Sequence, residues 1–206
     1  IYVASEREFD VSVAGQLPLG FDPGALYTSR NHPRGLQMSI YAMSDALADL
    51  GLDWDQLTAG LSPDAVSVYV SSSMGQLDEA ATGGMLTASL RGERVLAKNC
   101  PLGFAEMPGD FLNAYVLKSL GQTGPALGAC ATFLYNLQRG VDDIRSGRAR
   151  IAVVGASEAP IIPSLMDGYV AMGALATDKE LRALQGIDAD GSVDFRSACR
   201  PFGNNC

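Results

Sequence analysis

Arg150-Ile151-Ala152-Val153-Val154-Gly155 is an unbroken apolar run behind a single arginine. Its length and its valine and isoleucine content predict a β-strand, and the lack of polar alternation predicts that both faces of the strand are buried. Upstream, Val66-Ser67-Val68-Tyr69-Val70 is a second short run of β-branched and aromatic residues, ending in Ser71-Ser72-Ser73. Helical spacing fills the intervals. Over 33–50, Leu36, Ile40, Met43, Leu47 and Leu50 form one apolar stripe, with Pro33 suited to the first turn and Gly51 to the end. Residues 109–120 predict a second helix stopped by Gly121. A third runs from about 130 to 146 and stops at Ser146-Gly147, and a fourth covers 162–174. Strands alternating with helices predict an α/β fold with a largely parallel, buried sheet. The stretch 178–198 is more polar and reads as an exposed excursion.

Composition narrows the function classes. Of 206 residues, 47% are hydrophobic and 18% charged, so a large buried core is expected. A formal charge of −8 argues against a general nucleic-acid binder, because phosphate contacts need a basic face, although it leaves room for a local basic patch. There is no basic N-terminal region followed by an apolar segment, and no apolar run approaches the ~18 residues of a membrane span. A cytoplasmic location without membrane association is therefore expected. The cysteines are Cys100, Cys130, Cys199 and Cys206, with no Cys-x-x-Cys pair, and His32 is the only histidine. That set predicts reduced thiols and no metal site. Residues 121–128 are glycine-rich but no Gly-Lys-Ser/Thr follows, neither strand leads into Gly-x-Gly-x-x-Gly, and the Gly-x-Ser-x-Gly elbow is missing. Asp188-Ala189-Asp190-Gly191 lacks the register and the distal glutamate of a calcium loop.

Chemistry points instead to Gly124-Pro125-Ala126-Leu127-Gly128-Ala129-Cys130-Ala131-Thr132-Phe133-Leu134, where small residues and a proline lead into a cysteine that opens a helix. A helix N-terminus presents free N–H groups and about half a positive charge, which favours a thiolate over a thiol. Gly128, Ala129 and Ala131 leave room beside the sulfur for an acyl chain, and the Cys130 backbone N–H is placed to act as one oxyanion donor. Most free cysteines are buried and inert, so position alone does not decide the matter.

A family resemblance does. Gly128-Ala129-Cys130-Ala131-Thr132 resembles the nucleophile motif of the β-ketoacyl-[acyl-carrier-protein] synthases, condensing enzymes of the thiolase-like superfamily. Ala152-Val153-Val154-Gly155-Ala156-Ser157-Glu158-Ala159 is similar to the strand and turn after that family's nucleophile helix. Tyr169-Val170-Ala171-Met172-Gly173-Ala174-Leu175-Ala176-Thr177 is similar to its pocket segment, and Cys199-Arg200-Pro201-Phe202 to its Arg-Pro-Phe turn. Ala14-Gly15-Gln16-Leu17-Pro18 and His32-Pro33-Arg34-Gly35-Leu36-Gln37-Met38 resemble a divergent proteobacterial branch. The resemblance implies a layered αβαβα fold in which residues 1–206 form most of the N-terminal, nucleophile-bearing half, incomplete at both ends.

It also implies a decarboxylative Claisen condensation in fatty-acid elongation, with an acyl group held on Cys130 and malonyl-carrier protein as the second substrate. Met74 matches a position lining the acyl tunnel and Tyr169 an aromatic residue of the acyl pocket; both residue types also serve as ordinary core filler. The partner implied is an acidic acyl carrier protein, docking on basic residues for which Arg30 and Arg34 are one candidate group and Arg91, Arg94 and Lys98 another. A solvated charged face is the alternative reading of those five. No cofactor is implied beyond the phosphopantetheine that arrives on the carrier. A homodimer is implied, with 121–129 near its two-fold axis. The family's two catalytic histidines and its lysine have no counterpart here, and His32 matches none of them, so it is expected to be a surface or capping residue. Competing assignments are a ketosynthase module of a polyunsaturated fatty-acid or polyketide synthase, and a non-catalytic chain-length partner. Retention of Cys130 counts against the last.

Overall fold

The computed structural model describes residues 32–158 and 161–199, together with 11, 18–20, 22 and 25. Two compact units are present, one chiefly over 22–160 and one over 161–206 with 2–21. The first contains α1 (Arg34–Leu50), α2 (Trp54–Thr58), β1 (Val66–Ser71), α3 (Thr82–Ala88), α4 (Met107–Phe111), α5 (Thr132–Ser146) and β2 (Ile151–Ala156). The second contains α6 (Pro163–Ala171) and α7 (Asp178–Gln185). Among the described residues no helix is long and apolar enough to cross a membrane.

β1 and β2 pair in parallel from Val66 opposite Ile151 to Ser71 opposite Ala156. Alternation along β1 sorts its faces. Val66, Val68 and Val70 join Leu36, Ile40 and Met43 of α1, with Leu112 and Leu117, in one buried cluster. The intervening Ser67, Tyr69 and Ser71 are buried too and meet polar groups of α5. Leu36 and Ile40 are fully buried, and each such side chain contributes about 1.5–3 kcal/mol on removal from water. α1 starts after Pro33, where the Arg34 backbone N–H donates to Asp78 Oδ2 at 2.6 Å. It ends at Gly51, whose φ of 66° suits a residue without a side chain.

Four expectations need correction. β2 is half-buried rather than covered on both faces. α5 packs on Ala152 and Val154 through Gly140, but a groove of 420 Å³ between Val141, Ile144 and Ile151 leaves part of the strand open. The predicted 109–120 helix is α4 followed by a wide π-helical turn, Leu112–Leu117, which ends at Lys118 in the left-handed region (φ 53°). Gly121 is not the stop. It lies where a Cβ would strike the Val66 carbonyl, and it begins a segment that runs beside β1, with the Val68 N–H donating to Gln122 O at 2.8 Å and Thr123 bridging Val68 in parallel. The fourth helix ends at Ala171, ahead of Gly173 (φ 65°). The polar stretch 178–198 holds α7, which opens with a reciprocal cap between Thr177 and Glu180 and buries Leu181.

Candidate active site

Parallel strands present their carboxyl ends on one side of a sheet, and loops gathered there form sites. Here the C-terminal ends of β1 and β2 and the N-termini of α1 and α5 meet. Gly35 and Gly75 let α1 approach the turn after β1, since a Cβ on Gly75 would lie 2.9 Å from the Gly35 Cα. The Gly35 N–H donates to Gly75 O at 3.3 Å, and the Ser157 hydroxyl donates to Gly35 O at 2.7 Å.

Cys130 is exposed in a 3₁₀ turn, Ala129–Ala131, and α5 begins two residues after it rather than at it. The shift comes from Ala129, whose φ of 48° turns the chain sharply just before the cysteine. A left-handed alanine is strained and persists only where its surroundings hold it. Buried Thr132 supplies that hold: its Oγ1 donates to Ala129 O at 2.8 Å and accepts from the Gly128 N–H at 3.1 Å. Buried Asn136, one turn further along α5, accepts from the Ala126 N–H at 3.2 Å and donates to Ser71 Oγ at 2.9 Å and Gly155 O at 2.8 Å. Both strand ends and the approach to Cys130 are thereby tied to one helix face. Arg139 adds to the tie by donating to the Gly124 and Pro125 carbonyls at 3.3 and 3.2 Å while its guanidinium stacks 4.4 Å from the Tyr69 ring centroid.

Met74 lies half-buried in the turn after β1. The Ser73 and Thr132 hydroxyls are 3.1 Å apart, so the turn bearing Met74 and the turn bearing Cys130 are joined by one hydrogen bond. Glu158, just past β2, accepts the backbone N–H groups of Ser73, Met74 and Gly75 at 2.5, 2.9 and 3.1 Å. Tyr169 is half-buried on α6 of the second unit.

The basic residues divide differently from their sequence grouping. Arg30 lies outside the described residues, as do Cys206 and the Arg200-Pro201-Phe202 segment. Arg34 is half-buried at the start of α1, with Nη1 donating to Gln37 Oε1 at 3.4 Å. Arg91 pairs with Glu79 at 2.7 Å and keeps 24% of its side chain exposed, whereas Arg94 is exposed. His32 is half-buried, edge-on to Phe111 with ring centroids 4.9 Å apart; its carbonyl accepts from Gln37 Nε2 at 2.8 Å, and α1 has no side-chain cap at its start. Burial first, and then the Lys98 charge, hold its imidazole below the ordinary histidine range. Cys100 and Cys199 are free and exposed like Cys130.

Thr132, Asn136 and Glu158 carry the site's geometry and were not singled out from sequence. A signal exists for Glu158: an acidic residue just past the carboxyl end of a parallel strand stands where sites form. Thr132 and Asn136, four apart at a helix start, share a face.

Comparison with known proteins agrees with this fold. The family model described as "Beta-ketoacyl synthase, N-terminal domain" matches residues 20–194. The chain is 56% identical over 204 residues to the beta-ketoacyl-[acyl-carrier-protein] synthase FabY of Pseudomonas aeruginosa, covering 99% of this chain and 32% of that protein. It is 28% identical over 185 residues to fatty acid synthase 2 of Mycosarcoma maydis, covering 87% of this chain and 5% of that protein. With 3-oxoacyl-[acyl-carrier-protein] synthase 2 of Staphylococcus aureus it shares 26% over 181 residues, 84% of this chain and 38% of that one. The crystal structure of the P. aeruginosa ketosynthase FabY superposes with a TM-score of 0.89 at 56% identity, over 98% of this chain and 31% of that one. The chain therefore spans about a third of the length of the FabY protein it matches. With the family model matched over residues 20–194 and the fold matched to a member's structure, the chain belongs to the beta-ketoacyl synthase family, and what it contributes is that family's N-terminal domain.

Proposed function

We propose that the full protein is a β-ketoacyl-[acyl-carrier-protein] synthase of fatty-acid elongation and that this chain is its nucleophile-bearing part. The observation that carries the reading is the exposed Cys130 on a strained turn clamped by Thr132, in a chain 56% identical to a protein with that activity. The Cys130 thiolate attacks the carbonyl carbon of a carrier-bound acyl thioester; the carbon–sulfur bond to the carrier breaks, and the carrier thiol leaves with a proton. Malonyl-carrier protein then loses carbon dioxide, and the resulting carbanion attacks the acyl carbon on Cys130 and releases the thiolate. Thioester exchange involves no change of oxidation state, which supports a protein without a cofactor of its own, phosphopantetheine being supplied by the carrier. The groups that activate malonate are expected from the part of the full protein outside this chain.

The test is direct. Full-length protein incubated with an acyl thioester and digested is expected to carry the acyl mass on the peptide containing Cys130. Cys100 and Cys199 are equally free and exposed, so they act as internal comparators. Acylation of either in place of Cys130 overturns the reading.

Carrier docking belongs to the same proposal. Arg94 and Lys98, with Arg34 at the start of α1 and Arg30 upstream, are the basic residues assigned to the acidic carrier, while the Glu79 pairing makes Arg91 the weakest member. Arg94→Glu combined with Lys98→Glu is expected to raise KM for malonyl-carrier protein about 10-fold with kcat little changed, an effect that added salt diminishes. An unchanged KM removes these residues from the docking face. A homodimer is also proposed, as the family resemblance implies, with the segment after Gly121 that runs beside β1 near its two-fold axis. A cytoplasmic location goes with substrates delivered on a carrier protein.

A further inference from the structure

We propose that Glu158 is a positioning residue that sets the acyl-length preference of the enzyme by fixing the Met74 turn relative to Cys130. The inference rests on the reading of Cys130 as the acyl-bearing nucleophile and of Met74 as a residue lining the path of its acyl chain. Three consecutive backbone N–H groups, those of Ser73, Met74 and Gly75, converge on one carboxylate, with Oε1 taking the first at 2.5 Å and Oε2 the others at 2.9 and 3.1 Å. Successive N–H groups turned toward one point form an anion-binding concavity, and hydrogen bonds to an ionised acceptor are the strong ones. The protein fills this concavity with its own side chain.

The carboxylate's attachment matters as much as its contacts. Glu158 follows β2 by two residues, and β2 is locked in register to β1, the strand from which the Met74 turn departs. Ser157, its neighbour, is anchored to Gly35 of α1. The turn is thus held from the far strand, while the Ser73 hydroxyl links it to Thr132, which clamps the Cys130 turn. Met74 and Cys130 are placed by one chain of hydrogen bonds that begins at Glu158. Removing the charge loosens the turn carrying Met74 while leaving the Thr132 clamp on the Cys130 turn in place.

The experiment uses the full-length enzyme with short and long acyl primers. In Glu158→Gln, which keeps the size but sets an amide nitrogen against N–H donors, the ratio of kcat/KM between long and short primers is expected to flatten by about 10-fold, chiefly through KM. Alkylation of Cys130 by iodoacetamide is expected to stay within about 2-fold of wild type, because the Thr132 clamp on its turn is the same in both. Met74→Ala should flatten the ratio by itself, and adding Glu158→Gln to it should change nothing further, since both act through one side chain. A purely structural role for Glu158 lowers activity on all primers alike and overturns the proposal. So does a Glu158→Gln effect that adds in full to that of Met74→Ala, or a Glu158→Gln protein that does not fold. None of these outcomes touches the Cys130 reading, which fails separately if the acyl group is not found on Cys130.

Discussion

Replacing Cys130 by alanine in the full-length protein is expected to lower carbon–carbon bond formation by about 10⁴-fold or more, the scale of loss when a covalent nucleophile is removed. The fold should not suffer. Cys130 is exposed, and alanine already stands on both sides of it in the 3₁₀ turn. The features that shape the turn belong to other residues: the left-handed Ala129 and the Thr132 hydroxyl. The melting temperature is therefore expected to stay within about 2 °C of wild type, as for a one-atom change that removes no cap and no hydrogen bond of the turn. Product formation from an acyl thioester and malonyl-carrier protein is the measurement, and condensation that persists in the variant refutes the assignment. Cys130→Gln separates the two half-reactions. A side-chain amide then stands where the thioester would, so carbon dioxide release from malonyl-carrier protein is expected to survive while condensation is lost.

The two strands and α1 were readable because their signals are local. A valine-rich run and an apolar stripe at helical spacing need no tertiary information. The same holds for Gly51 and Gly147, which close α1 and α5 in the left-handed region as their positions in sequence suggest. The start of α5 was misplaced by two residues for a tertiary reason. Nothing in Gly128-Ala129-Cys130 announces that the alanine takes a positive φ; Thr132 and the packing around it impose that. The π-helical turn after α4 is of the same kind. Gly109 brings α4 against β1, where a Cβ would lie 2.6 Å from the Val70 carbonyl, and the chain widens immediately beyond.

At the site, resemblance picked out Cys130 and Met74, but not the groups that hold them. Asn136 and Glu158 act by hydrogen bonds to β1 and the turn after it, 65 and 85 positions away, a relation that no window of sequence contains; Thr132 bonds locally, but only to a turn whose shape the sequence does not announce. His32 shows the converse. Matching none of the family's histidines, it was expected at the surface or in a cap, yet it packs edge-on against Phe111, because the start of α1 is drawn into the fold by Asp78 and by the Gly35–Gly75 contact.

Asp143→Ala is expected to destabilise the protein by about 2–4 kcal/mol, because it removes one acceptor from three donors at a buried site. Asp143 sits on α5 and is buried against β1. Its Oδ2 accepts from Ser67 Oγ at 2.7 Å and from the Tyr69 hydroxyl at 2.5 Å, and its Oδ1 from Arg148 Nε at 2.8 Å. Burial alone would push the Asp143 carboxyl up, but the hydrogen bonds from Tyr69, Ser67 and Arg148 together bring it below the ordinary aspartate range. Burial, followed by the hydrogen bond and charge of Asp143, pushes the Tyr69 phenol up. The two shifts act at opposite ends of the pH scale. A carboxyl depressed in the folded state contributes stability that is present above its unfolded value, about pH 4, and is lost as pH falls through the folded value. A phenol raised in the folded state contributes stability that is present below about pH 10 and is lost as pH rises through the folded value. Wild-type melting temperature should therefore fall at both extremes, and Asp143→Ala should flatten the acid limb and weaken the alkaline one. Arg148→Ala serves as the control. Its side chain is 58% exposed, so its loss is expected to cost only about 0–1 kcal/mol, as for a solvent-screened ion pair. Equal losses from Asp143→Ala and Arg148→Ala would place the stabilisation in the ion pair and refute the hydroxyl network. A much larger loss at Asp143 locates it where β1 and the nucleophile helix meet, which is the contact that holds Arg139 over Tyr69 and, through it, the chain leading to Cys130.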